Sequence, residues 1–154
     1  MKQHKRRRGT VSAALIGVAA LVFTGFSVLA GAPVSAADGF TDVPPDAYYA
    51  TAVDWLVDRG ITTGTTPTTY SPDNPVTRAQ MAAFLYRYGL DTKTWTHPFT
   101  DVPVGAYYEN AVGWLAAHGI TTGTSPTTYS PHQTVTRAQM AAFLYRYAGE
   151  PPVS

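Results

Sequence analysis

Phe40-Thr41-Asp42-Val43-Pro44 returns as Phe99-Thr100-Asp101-Val102-Pro103, 59 residues later, and the register then holds without a gap to Tyr88 and Tyr147. Of the 49 paired positions, 37 are identical. A duplication this regular confines the chain to architectures built from stacked copies of one unit. A unit of about 50 residues with no disulfide or metal to staple it is marginal alone. The sequence holds no Cys, so the two copies are expected to pack on each other. Residues 89–98 form the link between them.

Each copy reads as helix, loop, helix. Tyr49, Ala52, Val53 and Leu56 recur at i, i+3, i+4, i+7 and make one apolar stripe, with Pro44 and Pro45 before it and Gly60 as its stop. Thr77-Arg78-Ala79-Gln80 has the layout of a capping box, followed by a second stripe of Met81, Phe84, Leu85 and Tyr88. Residues 61–76 between the stripes are rich in Thr, Pro and Gly and too Pro-broken for a sheet. The fold class is mostly α: tandem helix-loop-helix repeats over 40–90 and 99–149.

The first 36 residues read as an address. A basic head ending at Arg8, an apolar run from Val11 to Ala30, and Val34-Ser35-Ala36 have the three-part layout of a secretory signal peptide. The competing reading is a retained anchor, since the apolar run approaches the ~20 residues that span a bilayer. Cleavage leaves no stable membrane span, and either reading puts the repeats outside the cytoplasm. An exported chain without Cys fits Gram-positive secretion.

Charge narrows the function further. Five of the eleven basic residues lie in the first eight positions, and beyond Ala37 six basic residues face ten acidic ones. No Lys/Arg run remains to follow a phosphate backbone, which argues against nucleic acid as a partner. The sequence has no nucleophile elbow and no phosphate loop. Asp54 and Asp58 lie one turn apart, but the second copy has Gly113 and Ala117 there. His97, His118 and His132 are unrepeated and read as substitutions at variable surface positions. The expectation is a protein that is not an enzyme, with no cofactor and no metal.

The ordered set Phe40-x-Asp42-Val43, Tyr48, Ala52-Val53, Leu56, Gly60-Ile61, Gly64, Tyr70-x-Pro72 and Thr77-Arg78-Ala79-Gln80, present twice, resembles the S-layer homology repeat. The resemblance implies a non-covalent cell-wall anchor on a pseudo-threefold helical bundle of three repeats. Its implied partner is a secondary cell-wall polysaccharide, often pyruvylated, and its implied location is secreted, at the cell wall or surface. The chain departs from the family in carrying Gln80 and Gln139 where Glu is usual, Tyr48 and Tyr107 for Trp, and two repeats for three.

Candidate glycan contacts follow. Arg78 and Arg137 place a cation in the first turn of a helix, against the dipole, which makes sense where an external anion binds. Tyr48, Tyr107, Trp55 and Trp114 offer faces for sugar stacking, with packing as the alternative role. Asp42 and Asp101 read first as helix caps and second as sugar-hydroxyl acceptors. Two repeats, one short of the threefold bundle the resemblance implies, should leave one side of each first helix uncovered, around Tyr49, Val53 and Leu56 or their second-copy equivalents. Self-association, with the missing packing supplied by another copy, is therefore expected. The alternatives are a structural or self-assembly module without glycan binding, and a truncated product of a longer surface protein.

Overall fold

The computed structural model describes residues 39–152, and the signal-peptide expectation lies outside them. Four helices follow in order: α1 (Ala50–Asp58), α2 (Arg78–Tyr88), α3 (Glu109–Ala117) and α4 (Arg137–Tyr147). Only isolated β-bridges accompany them among the described residues, so the protein is mostly α. Both capping boxes form as read. Thr77 and Thr136 accept from the amides of Gln80 and Gln139, whose side chains take the amides of the two threonines in return.

The first helices end where Gly60 and Gly119 turn at positive φ. The chain then folds back so that the Ile61 and Ile120 amides donate to the carbonyls of Leu56 and Leu115. From the second helix of each copy, Arg87 and Arg146 donate to the carbonyls of those same isoleucines. Helix, turn and helix are tied within each copy this way.

Asp42 and Asp101 do structural work of a different kind from that expected. Neither caps a helix: the N-cap positions of α1 and α3 are Tyr49 and Tyr108, with no side-chain cap. The Asp42 carboxylate instead accepts the amides of Tyr70 and Ser71 at 2.8 and 2.7 Å, and Asp101 those of Tyr129 and Ser130 at the same distances. Each pins its loop at a serine with φ +60, a conformation that costs a residue with a side chain. The loop closes over Phe40 or Phe99 at Gly64 or Gly123, where an added Cβ would lie 2.5 Å from the ring.

One large core runs through both copies. Ala79, Ala82 and Leu85 of α2 meet Ala111, Trp114 and Leu115 of α3, with Phe99, Tyr129 and Phe143 around them. A smaller cluster of Phe40, Val43, Ala50 and Val53 serves the first copy alone. The buried side of α2 is thus its alanines with Met81 and Leu85, whereas Tyr88, counted in the expected stripe, is exposed. Gly113 allows the linker to lie on α3, since a Cβ there would sit 2.7 Å from the Trp95 carbonyl oxygen.

Uncovered surface falls elsewhere than expected. Tyr108, Val112 and Leu115 are buried in the core shared with α2, and Val53 of α1 is buried in its own small cluster. Among the described residues the open sides belong to α1 and α4. Trp55 is 39% exposed against 7% for Trp114, and Leu144 is 49% exposed against 6% for Leu85.

Candidate functional site

The start of α2 is where the two copies are joined. Its first amides, on Arg78 and Ala79, donate to the carbonyls of Gln133 and Pro131 in the second copy's loop, and Val135 donates back to Val76. Arg78 is 4% exposed, its Nε donates to the Tyr129 carbonyl at 2.7 Å, and its guanidinium lies over the rings of Tyr129 and Phe143. Tyr129 hydroxyl donates to the Arg78 carbonyl. Burial pushes the Tyr129 phenol up to about 12 despite the nearby cation. Arg78 therefore sits in the joint between the copies, with Nη2 buried and unpartnered by protein.

Arg137, its exact counterpart in sequence, is exposed. No loop carbonyl reaches the Arg137 or Ala138 amide among the described residues. Among the described residues, two arginines in identical motifs thus occupy opposite environments, Arg78 packed under the second copy's loop and Arg137 open.

Beside the joint lies a groove of about 440 Å³. One wall is the first copy's loop, with Thr62, Thr65, Ser71 and Asn74, and the floor is α2 with Gln80, Phe84 and Arg87. The second copy closes it with Tyr107. Hydroxyls, amides, one cation and an exposed aromatic ring make this lining suited to a polyhydroxylated ligand: polar groups fix orientation while rings take the apolar sugar faces. Tyr107 is 64% exposed and meets Tyr108 edge to face.

The remaining nominated residues scatter. Tyr48 is almost wholly exposed and packs edge-on against Tyr49. Trp55 is half-open beneath the Arg59 guanidinium, at 4.2 Å. Trp114 is buried, in ring contact with Tyr86, His118 and Tyr147. The amides of Tyr70 and Ser71, led by Tyr70, hold the Asp42 carboxyl below the usual range. Burial opposes the charge of Asp101, but the amides of Tyr129 and Ser130 and the Arg78 charge outweigh it and keep that carboxyl low as well. Both carboxylates are committed to their loops. Sequence reasoning passed over Arg87, Gln80 as a lining residue and the loop threonines. Their signal was the run of hydroxyl residues at 62–71, read only as irregular loop.

His118 Nδ1 lies 2.8 Å from the Trp114 carbonyl oxygen, and Phe99 donates its amide to His97 Nδ1. Among the described residues, no three His, Cys, Asp or Glu side chains cluster so as to hold a metal ion.

The S-layer homology domain model matches residues 39–82 and again 98–141. An endoglucanase of Bacillus sp. (strain KSM-635) is 36% identical over 108 residues, covering 70% of this chain and 11% of that protein. A cell surface protein of Thermoanaerobacter kivui is 32% identical over 88% of this chain and 18% of its own length. A surface-layer 125 kDa protein of Lysinibacillus sphaericus is 30% identical over 93% of this chain and 12% of its own length. The chain thus spans less than a fifth of each of these relatives.

Proposed function

The chain belongs to the S-layer homology family, and on that premise we propose that it is a non-catalytic anchor that binds an anionic secondary cell-wall polysaccharide, pyruvylated polymers included. Surface-layer and cell-surface proteins are among its relatives, and the cell wall or surface is where it works. The observation that carries the reading is the groove between the copies, walled by loop hydroxyls and closed by Tyr107. A chain of sugars lying there would meet hydroxyl and amide partners along one wall and an aromatic face on the other. Arg87 in that groove and the exposed Arg137 are cations an acidic substituent can meet, with Tyr48 a further exposed ring. Arg78 and Trp114 are buried and hold the two copies together.

The test is co-sedimentation with purified Gram-positive walls, before and after chemical removal of the secondary polymer. The full chain is expected in the pellet with intact walls, released by denaturant without covalent cleavage, and in the supernatant with stripped walls. Equal recovery with both preparations would overturn polymer binding.

A further inference from the structure

Three of the places where the second copy departs from the first share one neighbour, Trp95 of the linker. Asn110, Gly113 and His118 stand where the first copy has Thr51, Asp54 and Arg59. The Asn110 Oδ1 accepts the Trp95 amide at 2.6 Å. Gly113 leaves room for the Trp95 carbonyl, and the His118 ring lies edge-on to the Trp95 indole at 5.0 Å between centroids. Ala111, Val112 and Leu115, unchanged from the first copy, are buried in the core. Asn110 also reaches beyond the linker. Its Nδ2 donates to the Tyr86 hydroxyl of α2 at 2.7 Å and to the Lys93 carbonyl at 2.9 Å. The Tyr86 hydroxyl donates to that same carbonyl at 3.3 Å. One side-chain amide thus joins α2, α3 and the linker with one acceptor and two donors. The single hydroxyl of a threonine, as at Thr51, has one donor and cannot supply that set.

The network adjoins the groove on both sides. Tyr86 precedes Arg87, which lines the groove from α2, and Asn110 lies one turn after Tyr107, which closes it from the second copy. Burial and the adjacent Tyr108 push the Tyr107 phenol up, while the Arg87 charge pulls it back, so the two groove residues feel each other. Neither Asn110 nor Tyr86 lines the groove itself. We infer that Asn110 is a positioning residue: its three hydrogen bonds lock α3 against α2 and so fix where Tyr107 stands relative to Arg87 in the groove. A polar network with its members satisfied holds one arrangement in preference to others. The effect on binding presumes that the groove takes the glycan, whereas the lock itself needs no ligand.

Two mild variants cut the lock. Asn110→Asp keeps an acceptor for the Trp95 amide and removes both donors, and Tyr86→Phe removes the hydroxyl between α2 and the linker. Because the sequence holds no Cys, nitroxide labels can be placed at the exposed Thr68→Cys of the first copy and Val104→Cys of the second. The label-to-label distance, read by pulsed electron resonance on the full chain without polymer, is expected to form one narrow peak. Each variant should broaden or shift that peak with the helical spectrum retained. Affinity of the unlabelled chains for purified secondary cell-wall polysaccharide, taken where all are fully folded, should fall about fivefold in each variant. The double variant should lose no more than the worse single one, since both cut the same lock. A residue that only stabilises the fold would lower the melting temperature and leave distance and affinity alone. Unmoved distances in both variants would overturn the lock, and moved distances with unchanged affinity would overturn its role in positioning the groove. Distances that respond in a chain that binds no polymer would overturn the glycan reading and still support the lock.

Discussion

Arg78 and Tyr129 hold each other across the boundary between the copies: the Arg78 Nε donates to the Tyr129 carbonyl, the Tyr129 hydroxyl donates to the Arg78 carbonyl, and the guanidinium stands 4.6 Å from the ring centroid. A hydrogen bond from a charged donor contributes about 1.5–3 kcal/mol and a desolvated cation–π contact about 2 kcal/mol, neither fully additive. Arg78→Met keeps the stem and removes the charge. It should destabilise the protein by about 2 kcal/mol or more in thermal denaturation, while Arg137→Met, at an exposed position, should cost less than about 0.5 kcal/mol. Equal costs would mean that the joint does not depend on Arg78.

The alkaline limit should come from the same pair. The Tyr129 phenol titrates at about 12 in the folded chain, against an ordinary 10, because burial disfavours its anion. A group whose pKa is raised by folding contributes stability that is whole below its unfolded value and is lost as pH climbs through the folded one. Melting temperature should therefore fall between pH 10 and 12. Tyr129→Phe should start lower, having lost the hydroxyl's bond to Arg78, and fall less steeply. A slope unchanged by the substitution would assign alkaline unfolding to other groups.

At the acid end the sign reverses. Asp42 and Asp101 have carboxyls held low by loop amides, so their contribution is present above the ordinary carboxylate pKa and disappears as pH drops through the lowered values. Melting temperature should decline below about pH 4. The double variant Asp42→Asn/Asp101→Asn should be less stable at neutral pH and flatter across the acid range. An acid limb as steep as the wild type's would show that these two loops do not set it.

Gly113→Ala tests the linker. The new Cβ would sit 2.7 Å from the Trp95 carbonyl oxygen and 2.8 Å from its carbon. Backbone atoms cannot yield as a flexible side-chain tip does, so a cost of about 1–3 kcal/mol is expected. Trp95 fluorescence should shift as the linker lifts. A variant as stable as the wild type would show that the linker moves aside freely.

The helices were legible because their signals are local. The stripe from Tyr49 to Leu56, the Gly60 stop and the Thr77–Gln80 box each lie within one or two turns, and α1 and α2 start within a residue of where they point. What faces what was not legible. Asp42 looks like a cap from its distance to the helix, but its partners are amides 28 and 29 residues away. Arg78 and Arg137 are indistinguishable in sequence because the difference between them is a neighbour supplied by the next copy. Trp114 is core because Tyr86 and Gly89 of the first copy pack against it, while Trp55 is left partly exposed. The groove was missed because Tyr107, Arg87 and the loop threonines converge only once the copies pack.

The most direct measurement of the central claim is calorimetric titration of the full chain with purified secondary cell-wall polysaccharide. Saturable binding is expected, weakened at least tenfold by Tyr107→Ala and by Arg137→Ala, with both variants retaining the wild-type helical spectrum. Absence of heat with the intact polymer, or binding that both variants leave unchanged, would contradict a glycan anchor built on these residues.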